Sequence, residues 1–353
     1  MLFLHIKYST MKLVSYLENS HERLGIINDG KIYNLPENAH SVGKGILPDS
    51  MSEFLRFGEK AMEIAKAVEK CITENSPSII LSSSTVKNLL APVPHPTSCR
   101  DGYAFRQHVE TSRRNRKVPM IPEFDQYPVF YFTNHNSIQG PGEIYCMPDH
   151  FEKLDFELEV AIVIGKKGRN IIASEADQYI AGYMIMNDLS ARTLQMEEML
   201  LNLGPAKGKD FSTVIGPWLV TPDELIEYIV ETQTGHSGNS YNLEMSCKVN
   251  GIRVSHGNLK DMNWTFAELI ERCSYGADIL PGDVIGSGTV GTGCFLELNG
   301  TGLLNNPSYK PQWLKDGDVV EMEITSLGTL TNTIRKEKST HSILSLKKIS
   351  QTI

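Results

Sequence analysis

The spacing of apolar and polar positions divides the chain into two parts. Residues 12–17 and 24–27 read as short strands, and Asn28-Asp29-Gly30 reads as a tight turn into a third strand over residues 31–35. Asp-Gly at such a reversal supplies the positive φ angles that a short hairpin needs. From residue 51 to about 74 the period becomes helical, with Phe54, Met62, Ile64, Ala65 and Val68 mainly on one face. The prolines Pro92, Pro94 and Pro96 read as a connector. Residues 1–90 are therefore expected to form a small N-terminal α/β domain, in which residues 1–10, ahead of Met11, are an extension. In residues 91–353 the pattern is one of Val- and Ile-rich strands between glycine turns, at 160–165, 183–186, 214–221 and 319–325. Helical patterns are few, at 190–201, 222–228 and 265–274. The expected class is α+β, mostly β, and too strand-rich for a doubly wound sheet.

Composition narrows the function. At 353 residues, with 41% hydrophobic and 22% charged positions, the chain is long enough for a large core. A net charge of -8 argues against a general nucleic-acid binder. The chain lacks the run of roughly 20 apolar residues needed to cross a bilayer. Its first residues lack the pattern of a secretory signal, so a cytoplasmic protein is expected. The six cysteines are scattered, without zinc-site spacing, and read as buried thiols. Arg113, Arg114, Arg116 and Lys117 form the one basic cluster, either a solvated loop or an anchor for an acidic substrate.

Candidate chemistry begins with residues 154–165, Leu-Asp-Phe-Glu-Leu-Glu-Val-Ala-Ile-Val-Ile-Gly. Side chains alternate between the faces of a strand, so Phe156, Leu158, Val160, Ile162 and Ile164 share an apolar face and Glu157 and Glu159 share the other. Ala161 and Val163 continue that second face as apolar positions. Two partly buried like charges are costly unless a cation lies between them; the plainer reading is a half-exposed strand. Glu321 and Glu323 repeat the spacing but sit between Val319 and Thr325, and read as a solvent-facing strand edge. Asp188 ends an apolar strand where a helix begins. It is either a third acid of a site or, like Ser190, a helix cap. Arg192 and Gln195 share the first turn of that helix. Oxygen ligands without His or Cys suit magnesium, manganese or calcium better than zinc. Gly286-Ser-Gly288-Thr-Val-Gly291 has dinucleotide-binding spacing. The following residues 294–299 read as a strand where that motif needs a helix, which sets nucleotide binding aside.

The motifs in order are Asp101-x-Tyr103, Arg106-Gln107-His108, Glu157-x-Glu159, Asn187-Asp188-x-Ser190-Ala191-Arg192-x-x-Gln195, and Gly208-Lys209-x-Phe211-x-Thr213 with Gly216-Pro217-Trp218. Gly288-Thr289 with Glu297 completes them. From about residue 97 to 325 this set resembles the fumarylacetoacetate hydrolase family, in its fumarylacetoacetase-like branch. The resemblance implies a mixed β-roll catalytic domain and a homodimer. It implies a metal, magnesium first and manganese or calcium as alternatives, on Glu157, Glu159 and Asp188, with Asp101 a fourth ligand. His108 is then the general base, oriented by Glu297, with Glu110 the competing partner. Lys209, Arg192 and Gln195 would stabilise the oxyanion and the leaving carbanion, and Tyr103, Tyr131 and Thr289 would contact substrate. The implied activity is hydrolysis of a carbon-carbon bond in a fumarylacetoacetate- or acylpyruvate-like 1,3-dicarbonyl acid. The alternative is an isomerase, hydratase or decarboxylase of a 2-oxo (di)carboxylate using the same metal site. Either way the expected partner is a small acidic dicarbonyl compound, and neither nucleic acid nor membrane.

Overall fold

The computed structural model describes residues 11–83 and 85–348; the expected extension over residues 1–10 lies outside the described residues. Strands β1 (Lys12–Glu18), β2 (His21–Asn28) and β3 (Lys31–Asn34) make an antiparallel meander. Asp29 (φ 47°) and Gly30 (φ 69°) form its second turn, with both central residues at positive φ, as a primed hairpin turn requires. β3 ends where the Asn34 side chain accepts the Glu37 N–H and caps helix α1 (Leu35–Ser41). The helical stretch from residue 51 is two helices, α2 (Met51–Phe57) and α3 (Glu59–Thr73), because Gly58 turns the chain between them at φ 72°.

The remaining chain supplies β4 (Cys99–Gly102), β5 (Phe130–Thr133), β6 (Ile138–Gln139), β7 (Gly142–Cys146), β8 (Leu158–Ile164), β9 (Ile180–Asp188) and β10 (Thr213–Val220). After these come β11 (Glu244–Val249), β12 (Ile252–Asn258), β13 (Val284–Gly286), β14 (Val319–Ile324) and β15 (Gly328–Lys336). One ten-stranded sheet runs β3-β2-β1-β10-β9-β8-β13-β4-β5, with β6 alongside β10. The N-terminal hairpin thus continues the sheet of the later chain, Lys12 registering with Val220. A second sheet runs β12-β11-β14-β15-β7.

Alternation along β8 explains the layering. Leu158, Val160, Ile162 and Ile164 face a core shared with Met245, Met322 and Leu330 of the second sheet. Ala161 and Val163 face a core shared with Phe54, Ile64 and Val68 of α2 and α3. The large sheet is therefore buried on both faces, between helices on one side and the smaller sheet on the other, an α+β architecture. Among the described residues no helix is long and apolar enough to cross a membrane.

Three local expectations are corrected. Beyond helix α6 (Phe266–Ser274), residues 295–305 form helix α7 (Phe295–Asn305), not a strand; its first N–H groups are capped by a distant carboxylate, which overrides the alternating Phe-Leu-Glu-Leu pattern. Glu321 and Glu323 do face outward, Glu321 pairing with Lys248 at 2.8 Å, but β14 is a central strand of its sheet and not an edge. Arg113 and Arg114 of the basic cluster lie in the last turn of helix α4 (Arg106–Asn115), and only Arg116 and Lys117 lie in the turn that follows it. That helix buries only His108 and Val109, so its sequence carries little apolar period, and it packs on α7, where a Cβ on Gly300 would come within 2.5 Å of Asn115.

Candidate active site and metal centre

The acids converge because they lie at one end of four adjacent strands, β9-β8-β13-β4. Asp101 on β4 pairs across Gly286 of β13, which pairs with Ala161 of β8, two positions beyond Glu159. Met186 of β9 pairs with Glu159, and Asp188 lies two positions further on the same face. Carboxylate oxygens of Asp101, Glu159 and Asp188 lie within 4.8 Å of one another, all buried. Glycine at 286 makes the meeting possible: a Cβ there would come within 2.4 Å of Asp101 Oδ1.

Neighbouring groups satisfy part of this charge. Tyr131 donates to Asp188 Oδ2 at 2.6 Å, Thr289 to Glu159 Oε1 at 3.3 Å, and the Gly288 N–H to Asp101 Oδ1 at 3.1 Å. Lys209 Nζ lies 2.5 Å from Asp188 Oδ2 and is also paired with Glu157 Oε2. Lys209 is positioned where the Gly208 loop crosses the helix α5 (Arg192–Met199), since a Cβ on Gly208 would strike the Gln195 backbone at 2.5 Å. Among the described residues, Glu159 Oε2 and Asp188 Oδ1 have no donor, although both are buried. Burial, followed by the charge of Asp188, pushes the Asp101 carboxyl up to about 7. Burial and then the Asp101 and Asp188 charges hold Glu159 well above the usual range. Asp188 is raised by burial against the pull of Lys209. Buried oxygen donors without partners and with raised proton affinity fit a hard divalent cation, which would replace the missing charge.

Glu157 lies beside this trio. Its Oε1 accepts from Arg192 at 2.7 Å and its Oε2 from Lys209. Burial raises its carboxyl, but Lys209 and Arg192 outweigh that and leave it below the usual range. Arg192 also binds Asp155 at 2.8 Å and donates to Gln195 Oε1 at 3.0 Å, so Arg192 and Gln195 do share one network. A second group, His108, Glu157 and Cys294, also has its potential ligand atoms within 4.8 Å. There both Glu157 oxygens are held by cations, and burial pushes the Cys294 thiol well up, so that group does not suit a metal.

His108 on α4 has Nδ1 2.7 Å from Oε2 of Glu297 on α7, both buried. The other Glu297 oxygen accepts the Thr292 N–H at 3.0 Å. Glu110, the competing partner, is exposed and pairs with Arg106 at 3.0 Å. Tyr103 stands edge-on to the His108 ring, centroids 6.0 Å apart, and to Phe124 at 6.2 Å. The glycine segment 286–293 is followed by a helix after all, yet no phosphate cradle results. The Asp155 carboxylate already takes the first N–H groups of α7, and Gly288 and Thr289 face the acids. Sequence reading missed Asp155, which shares the alternation of Glu157 and Glu159 and was visible there as the first of three acids.

Residues 97–335 match the family model described as Fumarylacetoacetate (FAA) hydrolase C-terminal. The chain is 32% identical over 336 residues to a human mitochondrial oxaloacetate tautomerase, covering 92% of this chain and 91% of that protein. A fumarylacetoacetate hydrolase from Exiguobacterium antarcticum superposes with a TM-score of 0.63 at 23% identity, over 93% of this chain and 100% of that one. A maleylpyruvate hydrolase from Sphingobium sp. SYK-6 does so with a TM-score of 0.64 at 18% identity, over 93% and 100%. These structural likenesses bear on the fold.

Proposed function

Because the chain belongs to the fumarylacetoacetate hydrolase family, we propose that it interconverts the enol and keto forms of a small 2-oxo dicarboxylate, with oxaloacetate the first candidate. The observation that carries the reading is the placement of the His108–Glu297 pair beside a buried acid cluster with free oxygens. The family resemblance read in the sequence implied carbon-carbon hydrolysis first. The activity named for the human relative, which aligns along nearly the whole chain, favours the isomerase alternative instead.

Asp101, Glu159 and Asp188 would hold the ion; Glu157, whose oxygens pair with Arg192 and Lys209, would join them only by giving up the Lys209 contact. Magnesium bound there, or manganese or calcium in its place, would polarise the carbonyl oxygens of a 2-oxo acid and stabilise negative charge on them. The chain's own residues handle the proton. Glu297 engages Nδ1 of His108 and fixes the ring, which leaves Nε2 to take the enol O–H proton and return it to the adjacent carbon. The O–H bond breaks, the enol π pair forms the C–H bond, and the carbon skeleton stays intact. Lys209, held in its charged form by Asp188 and Glu157 against the opposing effect of burial, adds positive charge beside the developing oxyanion. Tyr103 stands edge-on to the His108 ring, and Tyr131 and Thr289 orient the carboxylates they bind.

Hydrolysis of an acylpyruvate remains a second reading, because the same histidine pair suits activation of water. A homodimer is part of the proposal. Product analysis separates the readings: tautomerisation leaves one four-carbon acid, whereas hydrolysis yields two fragments. An active His108→Ala variant would remove the basis for both.

A further inference from the structure

Asp155 ends the two-residue strand Leu154–Asp155 and is fully buried. Its Oδ1 accepts the Phe295 N–H at 2.7 Å, and its Oδ2 accepts the Leu296 N–H at 2.9 Å and Arg192 Nε at 2.9 Å. The first N–H groups of a helix have no partner within it. The residue preceding α7, Cys294, makes no side-chain cap. Asp155 is therefore the cap, supplied from 140 residues earlier in the chain.

Two arms lead from this carboxylate into the site. Through α7 it holds the turn that carries Glu297, whose oxygens bind the Thr292 N–H and His108 Nδ1. Through Arg192 it reaches Glu157, which shares Lys209 with Asp188. Charge-assisted contacts of this kind in dry surroundings are short and directional. They fix the base and the acid cluster relative to one another.

Resting on the proton-transfer reading above, we propose that Asp155 is a positioning residue for that chemistry: it sets the Glu297–His108 contact in register with the acid cluster by capping α7 and clamping Arg192 with one carboxylate. It acts on the chemistry through Glu297; the Arg192 arm anchors the Asp155 carboxylate and contacts Glu157 and Gln195 rather than Asp101, Glu159 or Asp188.

The test compares Asp155→Asn, Glu297→Gln and the double variant. Asparagine keeps the size and one acceptor oxygen but removes the charge. The first readout, independent of any substrate, is the downfield imidazole N–H proton resonance of His108 in histidine-labelled protein, assigned by its loss in Glu297→Gln. In Asp155→Asn that resonance is expected to move or broaden. The second readout is kinetic: kcat falls roughly 10- to 100-fold, as expected of a displaced proton-transfer group, while KM and manganese affinity change by no more than about twofold. Added to Glu297→Gln, the same substitution changes kcat by less than about twofold, because both act through one contact. An unmoved resonance, or losses that multiply in the double variant, overturns the proposal. Absence of turnover in the unmodified protein sinks the proposed function but leaves the resonance test standing. Should Asp155→Asn not fold, Asp155→Ser, with one acceptor oxygen, is read in the same way.

Discussion

Nδ1 of His108 and Oε2 of Glu297 lie 2.7 Å apart although 189 residues separate them in the chain. The contact joins the start of α4 to the first turn of α7. It leaves one imidazole nitrogen free, which is the arrangement a proton carrier needs.

Removing the proton carrier should therefore cost more than removing its orienting partner. His108→Ala is expected to lower kcat/KM by about 10²- to 10⁴-fold, and Glu297→Gln by a smaller factor. Manganese binding, followed by electron paramagnetic resonance, should be unchanged in both. Lost manganese binding would mean that the substitutions act by unfolding the site.

The acid cluster should be destabilising until a cation enters. In chelator, Glu159→Gln is expected to melt at or above the temperature of the unmodified protein, since it removes one of several buried like charges. Saturating magnesium should raise the melting temperature of the unmodified protein, by about 2.7 kcal/mol of stability at 100 times Kd. The variant should lose that gain. Differential scanning calorimetry with and without metal decides it.

The same charges give a pH dependence with a definite sign. Asp101 is pushed up to about 7 by burial and then by Asp188, against about 3.9 in an unfolded chain. A carboxyl raised on folding holds its proton more tightly in the native state, so the stability it contributes below about pH 4 is lost as pH rises through about 7. Glu159 and Asp188 shift in the same direction. In chelator the melting temperature should fall from about pH 5 to 8, and magnesium should reverse the fall by taking the place of the protons. A melting temperature that rises over this range without metal would contradict the account.

Gly286 offers a substitution that removes no charged group. In Gly286→Ala the new methyl would lie 2.4 Å from Asp101 Oδ1 and 2.8 Å from Met186 Sδ. Asp101 must then shift, and magnesium affinity is expected to fall about tenfold or more, checked by isothermal titration calorimetry.

How much of this was legible follows from the residues themselves. Alternation over residues 156–164 showed β8 and its two faces, because Phe156, Leu158, Val160, Ile162 and Ile164 pack into one core and Ala161 and Val163 into the other. The same alternation carried Asp155, Glu157 and Glu159. The fate of each was unreadable, since Asp155 caps a helix, Glu157 pairs with cations and Glu159 joins Asp101 and Asp188 through strand neighbours far away in sequence. Helix α7 was hidden for a related reason: its Phe-Leu-Glu-Leu start alternates like a strand, and its cap comes from another part of the chain. Residue spacing alone gave no hint of the His108–Glu297 contact; only the family resemblance suggested it.

The most direct test of the central claim is the rate at which purified protein converts enol-oxaloacetate to the keto form, measured with magnesium, with chelator and in His108→Ala. The account predicts acceleration that needs both metal and His108, with the four-carbon product intact. Cleavage into two fragments, or no acceleration by protein shown to bind magnesium, would contradict it.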